Sequence, residues 1–386
     1  MSDTRLHTGQ IHVGIPLPFD TFDEQGKLLL RQGFVIDDPQ QLVRLLQRGL
    51  FQEAAPGKAA SGSAGAVGGG GGGHHAVRVS VIDLLVQVQA RLELLLLEDA
   101  PADFPARLQA LAEQLQHGVS LDSDAAIASI QMCHAGRYST RRMVHGAILA
   151  ELLLRESGED DAQRRTAICA ALSMNIAMLE LQDELYLQAT APSPEQREQV
   201  RCHPEAGVRR LQALDVSDAR WLAIVGQHHE TIDGKGYPAA LQGNDICRAA
   251  QVLSIADRYG AMATGRAYRA AALPNTVLRQ LFMDKDKSVD AGLAALLVKA
   301  IGIYPPGSLV GLANGDTAVV VKRTQSANHP VVRCVKTNRN EILENPRKRL
   351  TSEPAYAITR MFPMAGLGFE VDPKKLWDEG LEVESA

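Results

Sequence analysis

Helical periodicity between Val77 and about Ile303 is the feature that most constrains the fold of this chain. Apolar residues recur there at the three- and four-residue spacing of a helix face, in segments such as VSVIDLLVQVQARLELLLL, STRRMVHGAILAELLLRESG, DAQRRTAICAALSMNIAMLELQDELY (residues 161–186) and RAAQVLSIADRYGAMA. Successive amphipathic helices bury their apolar faces against one another, so the pattern predicts a helical bundle. The apolar share of 45% is ample for such a core.

The two ends of the chain follow a different pattern. Residues 1–53 read as a small module of short strands, with a turn at Asp23–Gly26, followed by a helix in DDPQQLVRLLQRGLF. Residues 54–75, AAPGKAASGSAGAVGGGGGGHH, are too rich in Gly, Ala and Ser to pack and are expected to be a flexible linker. The helical domain spans 76–305, and 306–386 form a small β-rich extension that begins with a strand, an Asn-Gly turn and a second strand. The expected fold is mainly α, a helical bundle with a small N-terminal α/β module and a small C-terminal β appendage.

Composition excludes several classes of function. The net charge of -5 and the aromatic share of 4% argue against nucleic-acid binding. Five scattered cysteines without a CxxC pair indicate neither a zinc knuckle nor a disulfide framework, and reduced thiols favour a cytoplasmic protein. The start, MSDTRLHTGQ, lacks the apolar core of a signal peptide, and the run LLVQVQARLELLLL is too short and too charged for a membrane span.

Five residues that can bind metal fall on or next to apolar helix faces. They are His145, His203, His228, His229 and Asp257. Each alone has a simpler interpretation, as a hydrogen-bonded core histidine or as a carboxylate paired with arginine. Together, neutral imidazoles and a carboxylate suit Fe, Mn or Zn better than Mg or Ca. The set therefore predicts a metal site inside the bundle.

A glycine-rich loop directly follows two of these histidines, in QHHETIDGKGYP. Gly234 and Gly236 allow positive φ and close approach of the backbone, and Pro238 stiffens the exit. A simple helix-terminal turn explains the glycines. It does not explain the two histidines and Glu230 that precede them.

These motifs resemble the HD-GYP family. HHETIDGKGYP matches its HHExxDGxGYP block, and GNDICRAAQVLSIADRYGAMATGRAYR is similar to its stretch with a metal-binding Asp and a following Arg-x-Tyr-Arg. EQREQVRCHPEAG resembles the family's His-Pro-x-x-Gly helix and MVHGAILAELL its first histidine helix. The resemblance covers roughly residues 125–305, and the motifs stand in the family's order.

The resemblance implies an all-helical HD-type fold that holds two or three metal ions and hydrolyses cyclic di-GMP in bacterial signalling. It assigns the five residues above as metal ligands. It places Arg266 and Arg269 against phosphate or guanine, and the loop Gly236, Tyr237 and Pro238 at the border of the nucleotide pocket.

The chain departs from the family at the His-Asp pair and around it. Met174 and Asn175 stand where the pair is expected, and Ala177 and Met178 replace the following Gly and Lys. Arg141 occupies a further position where the family has an acidic ligand. An Asn amide is a poor bridge between dications, a thioether suits Cu(I), and a guanidinium cannot ligate a metal. No residue of the chain is therefore assigned a catalytic role.

The remaining ligands are unevenly divided. By the family's arrangement one ion keeps His203, His228 and His229, and the other keeps only His145 and Asp257. Three imidazoles can hold one ion. We therefore expect one divalent ion (Fe, Mn or Zn) per chain or none, with weak or lost phosphodiester hydrolysis.

Three hypotheses for function stay open. The first is an enzyme with an atypical single-metal centre, the second an effector that binds cyclic di-GMP without hydrolysis, and the third a protein-interaction scaffold. Expected partners are cyclic di-GMP, other signalling proteins that bind through the Gly-Tyr-Pro loop or the N-terminal module, and a second copy in a homodimer. No partner nucleic acid and no membrane span are expected.

Overall fold

The protein contains two compact units, which are described separately. A computed structural model describes residues 4–5, 21–22, 27–31, 50–51, 80–265, 271–284 and 288–377. One unit comprises Met1–Val79 with Gly380–Ala386, and the other is Ser80–Glu379.

The described residues of the first unit include four short antiparallel strands. They are Thr4–Arg5 (β1), Thr21–Phe22 (β2), Leu28–Leu30 (β3) and Leu50–Phe51 (β4), in the sheet order β1-β4-β2-β3. The strands confirm the β part of the expected N-terminal module. The turn at Asp23–Gly26, nearly all of the helix expected after it, and the 54–75 linker lie outside the described residues.

The second unit is mainly helical, which confirms the expected fold class. Its helices are Val81–Leu97 (α1), Phe104–Leu121 (α2), Ser123–Met132 (α3), Tyr138–Glu156 (α4), Asp161–Ser173 (α5), Leu179–Leu187 (α6), Pro194–Ala213 (α7), Ala219–Gln227 (α8), Arg248–Ala263 (α9), Pro274–Met283 (α10), Ala291–Ile301 (α11) and Pro373–Leu376 (α12). None of the helices in the described part of the chain has both the length and the apolar character that crossing a bilayer requires.

Helix α4 is the centre of this unit. Every residue from Tyr138 to Leu154 is buried, as expected for a helix with neighbours on all sides. Its residue Gly146 packs against Met174 and Leu253, since a Cβ there would make ordinary van der Waals contact with Met174 Cε at 3.4 Å and Leu253 Cδ1 at 3.7 Å. The first expected metal ligand, His145, is therefore carried by the most enclosed element of the fold.

The long helix that the periodicity indicates over 161–186 is interrupted. Helix α5 ends at Ser173, α6 begins at Leu179, and residues 174–178 form a turn closed by the backbone bonds Ile176 N to Ser173 O and Met178 N to Asn175 O. These bonds span three residues, whereas α-helical bonds span four. Apolar spacing continues across the turn, so periodicity alone does not reveal it.

A five-stranded antiparallel sheet follows the helices, which confirms the expected β appendage. Its strands are Leu309–Leu312 (β5), Thr317–Lys322 (β6), Val331–Lys336 (β7), Ile342–Leu350 (β8) and Ile358–Phe362 (β9), in the order β8-β7-β6-β5-β9. Arg323, just after β6, forms an ion pair with Asp124 of α3. The sheet belongs to the same compact unit as the helices.

A buried ion pair joins α4 to α5 and supplies a test of the packing. Glu151 is 1% exposed, and Arg164 Nε donates to both of its carboxylate oxygens at 3.1 Å. We expect Glu151→Ala to lower the free energy of unfolding by about 1–3 kcal/mol, because Arg164 Nε is left buried without an acceptor while the other guanidinium nitrogens keep Asp161 and the Glu159 carbonyl. Urea unfolding followed by far-UV circular dichroism measures the loss.

The matched control is Glu113→Ala, since Glu113 pairs with Arg165 at 3.1 Å on the surface. An exposed pair of this kind contributes about 0–1 kcal/mol. Equal losses in the two variants would show that burial of the Glu151 pair has no special weight.

Candidate metal centre and adjoining cavity

Three of the five expected metal ligands lie together in the fold. His203 is on α7, His228 is the residue that caps the end of α8, and His229 follows it. One ring nitrogen from each of these three histidines lies within 4.8 Å of a ring nitrogen of the other two. Among the described residues, these three are the group of His, Cys, Asp or Glu side chains that are close enough together to hold one metal ion. The structure therefore assembles the three-histidine set that the sequence assigned to a single ion.

His203 is oriented by the proline that follows it. Pro204 lies inside α7 and has no N–H, so it cannot donate to the Val200 carbonyl one turn earlier. His203 Nδ1 takes that role and donates to Val200 O at 2.6 Å. The helix continues to Ala213 instead of ending at the proline, and the free carbonyl holds the imidazole ring.

His228 is oriented by the end of a helix. Helix α8 stops at Gln227, so Val225 O is among the last carbonyls that receive no helical N–H. His228 Nδ1 donates to Val225 O at 2.7 Å. Because a carbonyl oxygen only accepts, Nδ1 carries the hydrogen in both rings, and each neutral ring presents an Nε2 lone pair.

The two lone pairs face one another. His203 Nε2 and His228 Nε2 are 3.2 Å apart. Nitrogens that each lie about 2.1 Å from a shared ion are separated by roughly 3.0–3.4 Å, whereas two facing lone pairs without a cation repel. The donor set, its tautomers and its spacing fit one borderline divalent ion such as Zn, Fe or Mn.

Burial keeps these rings neutral and able to ligate. Desolvation, with the neighbouring His228 ring adding to it, lowers the pKa of His203 to about 3. Desolvation also lowers the pKa of His228, and it lowers that of His229 to well below the usual value. Metal binding requires neutral imidazole, so the site needs no deprotonation near neutral pH.

The glycine-rich loop folds back onto the histidines. Tyr237 stacks on His229 with ring centroids 4.7 Å apart, and its N–H donates to His229 O. A Cβ on Gly236 would lie 2.5 Å from Glu230 Cα, so only glycine fits at this approach. Gly234 has φ +73°, which confirms the positive φ expected in this loop.

The buried residue Glu230 holds the end of this loop in place. Its carboxylate accepts hydrogen bonds from the backbone N–H groups of Ala239 and Leu241.

Asp257 is occupied by an arginine. Its buried carboxylate forms an ion pair with Arg142 of α4, and Arg142 Nη2 also donates to the Asp257 backbone carbonyl at 3.1 Å. A buried carboxylate needs a cation, and in this structure a guanidinium provides it. The three-histidine group does not include Asp257. Its role as a metal ligand stays a prediction.

His145 is buried on helix α4. It is not a member of the three-histidine group. Burial, with the charge of Arg141 next in weight, lowers its pKa to about 3. Arg141 itself donates to the His134 carbonyl at 2.5 Å and lies over the ring of Tyr138. The role of His145 as a ligand therefore stays a prediction as well.

The substituted residues line or pack beside a cavity next to this site. Met174 is completely buried against α4, so its thioether is a packing group. Asn175 and Met178 line an open cavity of about 720 Å³, together with His229 and Tyr237. Arg142 and Asp257 line it too, so the Gly-Tyr-Pro loop, the ion pair and the altered His-Asp segment share one space.

The two arginines expected to contact the nucleotide, Arg266 and Arg269, lie outside the described residues.

Two residues that shape the site, Arg142 and Glu230, were not expected from the sequence. Arg142 had one usable signal, a charge within the otherwise buried stretch RRMVHGAILA. For Glu230, the sequence contains no sign of its role in positioning the loop beyond its place after the two histidines.

The His203–Pro204 arrangement predicts opposite changes in stability and metal affinity. Pro204→Ala restores an N–H that competes for Val200 O, so His203 loses the bond that fixes its tautomer. We expect the affinity for Co²⁺ or Zn²⁺ to fall about tenfold, the usual size of such losses, while the melting temperature stays equal or rises. Calorimetric metal titration and thermal unfolding measure the two effects.

Pro194→Ala is the matched control, because Pro194 lies in the first turn of the same helix and frees no carbonyl. Unchanged metal affinity in Pro204→Ala would contradict the role given to the proline.

Comparisons with known proteins agree with this arrangement. The sequence model described as HD domain matches residues 122–293. A cyclic di-GMP phosphodiesterase of Pseudomonas aeruginosa is 28% identical over 57% of this chain and 62% of its own length. The cyclic di-GMP phosphodiesterase PdeB of Borreliella burgdorferi is 24% identical over 57% of this chain and 58% of its own. The matches thus span about three fifths of each relative.

A solved structure shares the fold. It is an HDG"Y"P protein from Bdellovibrio bacteriovorus, with a TM-score of 0.54 and 15% identity, over 76% of this chain and 97% of that one. The helical unit, the order of its motifs, the three-histidine group beside the Gly-Tyr-Pro loop, and these matches lead to one conclusion. Residues 122–293 of the chain form an HD domain, and the similarity to cyclic di-GMP phosphodiesterases supports its assignment to the HD-GYP family.

Proposed function

We propose that this protein is a signalling protein that binds a cyclic dinucleotide, cyclic di-GMP by its relatives, and hydrolyses it weakly or not at all. The observation that carries the proposal is the Arg142–Asp257 ion pair beside Asn175. The described site brings three imidazoles together but adds no acidic side chain to them. Its binding surface is retained while the ligands for a second ion are missing.

The charge of the cavity supports binding of a diphosphate ring. Arginines on its lining are Arg142, Arg197, Arg201 and Arg258, and the acidic residues are Glu198 and Asp257. Arg201 makes no ion pair or hydrogen bond with any residue that the structure describes, so its charge is available to a phosphate. The volume of about 720 Å³ lies within the range of roughly 300–1,000 Å³ typical of ligand sites.

The three histidines would hold one divalent ion at the edge of this cavity. Such an ion, when bound, polarises a phosphoryl oxygen and lowers the pKa of a bound water. The chain itself contributes orientation. The carbonyls of Val200 and Val225 fix two rings, and Tyr237 covers the third. One face of the site is therefore prepared for a phosphate oxygen.

Weak hydrolysis follows from two charges that the family has and this chain lacks. Met178 leaves the position of the family's lysine without a charge, and Asn175 cannot supply the negative charge that bridges two ions. Each 1.36 kcal/mol of lost transition-state stabilisation lowers the rate tenfold. Association with other signalling proteins, a homodimer and a cytoplasmic location stay predictions from the sequence.

Metal content tests the single-ion part of the proposal. We expect the purified chain to retain about one Fe, Mn or Zn ion or less, and His228→Ala to retain none, since only two imidazoles would remain. Elemental analysis by mass spectrometry after gel filtration measures it. Two tightly held ions per wild-type chain would contradict the proposal.

Nucleotide binding and turnover separate the three functional hypotheses. We expect calorimetry to detect cyclic di-GMP binding that Arg201→Ala weakens about tenfold, through loss of one charged contact. Linear product should be scarce in an assay with added Mn²⁺ or Fe²⁺. Rapid hydrolysis that His228→Ala abolishes would establish an active enzyme, and no binding at near-millimolar nucleotide would leave the scaffold hypothesis.

The control for Arg201→Ala is Arg209→Ala, an exposed residue of the same helix that is not on the cavity lining and has only a loose contact to Glu205. It should leave nucleotide affinity unchanged.

A further inference from the structure

We propose that Asn175 and Gln182 form a subsite that recognises the hydrogen-bonding edge of a guanine base. The inference rests on the cyclic-dinucleotide function proposed above and specifies which base the cavity accepts. It assigns a role to a position where the family has a charged metal ligand and this chain has a neutral amide.

Two buried amide oxygens in the described part of the chain lack hydrogen-bond partners. Among the described residues, the buried side-chain amide oxygens without a hydrogen-bond partner are Asn175 Oδ1 and Gln182 Oε1. Asn175 is 2% exposed and Gln182 is 7% exposed. Buried carbonyl oxygens are nearly always paired in folded proteins, because an unpaired one is destabilising. Two such atoms in one place indicate a group that the protein binds.

Both residues line the same cavity. Asn175 lies in the turn between α5 and α6, and Gln182 lies on α6 one turn beyond Met178, so a single short segment presents both amides. The terminal torsion of an amide side chain is soft, and a small rotation turns its oxygen toward a ligand. Tyr237 lines the cavity as well and offers an aromatic face on which a base can stack.

The donor and acceptor pattern selects guanine. Two acceptor oxygens require two donors from the ligand, and guanine supplies them side by side as N1–H and the 2-amino group. Adenine offers only its 6-amino group on that edge. Arg142 Nε, which is buried, unpartnered and on the same lining, supplies a donor for guanine O6 or N7.

Calorimetry with the full-length chain tests the inference. The ligands are cyclic di-GMP and cyclic di-IMP, which differs only by lacking the 2-amino group. We expect cyclic di-IMP to bind about tenfold more weakly, as for loss of one buried hydrogen bond. In Gln182→Met, which keeps the shape but removes the amide, cyclic di-GMP should weaken about tenfold and the difference between the two ligands should largely disappear.

A second measurement needs no ligand. Gln182→Met should leave the melting temperature unchanged or raised, because it removes an unpaired buried amide. The matched control is Gln89→Met: Gln89 is also 7% exposed, but its Nε2 donates to Ala135 O at 2.6 Å, so this variant should melt lower. A large drop for Gln182→Met would show a structural amide and overturn the inference.

The outcomes distinguish the two proposals. Binding of cyclic di-GMP and cyclic di-IMP with equal affinity would overturn the guanine subsite while leaving the nucleotide proposal intact. Equal weakening of both ligands by Gln182→Met would also overturn the subsite. Absence of binding by either ligand would overturn the cyclic-dinucleotide function and the subsite with it.

Discussion

The ion pair between Arg142 and Asp257 is the interaction on which the rest of the site depends. It joins the buried helix α4 to α9 and neutralises a carboxylate that could not stay charged in the core alone. Where the resemblance implies a metal ion as the cation, the structure has a guanidinium. The ion pair links two helices that are distant in sequence, and Asp257 is not a member of the three-histidine group.

Two of the three histidines are oriented by backbone carbonyls that would accept a helical N–H in an uninterrupted helix. Pro204 frees the carbonyl of Val200 inside a helix, and the end of α8 frees that of Val225. Each carbonyl fixes a ring with its Nε2 lone pair toward the other. Secondary structure thus supplies the orienting contacts that metal-binding histidines usually receive from a carboxylate or a carbonyl. Burial lowers the pKa of His203 and His228, so these rings stay uncharged and able to bind a metal ion near neutral pH.

The segment 174–182 marks where this chain departs from a two-metal site. Met174 became a packing group against Gly146, and Met178 lines the cavity without charge. Asn175 and Gln182 leave amide oxygens unpaired on that lining. The retained arginines and Tyr237 face the same space. These features support the proposal that the site binds a cyclic dinucleotide and hydrolyses it weakly or not at all.

The sequence by itself determined the helical bundle, the C-terminal strands, the three histidines and the glycine positions of the loop. These follow from local periodicity, turn chemistry and motif spacing, which each segment carries alone. Only the tertiary structure decided that Asp257 pairs with Arg142, that the helix predicted over 161–186 breaks at Met174, and that two amides remain unpaired. Which cation meets a buried carboxylate, and which polar atoms lack a partner, depend on helices distant in sequence, and no local pattern encodes those contacts.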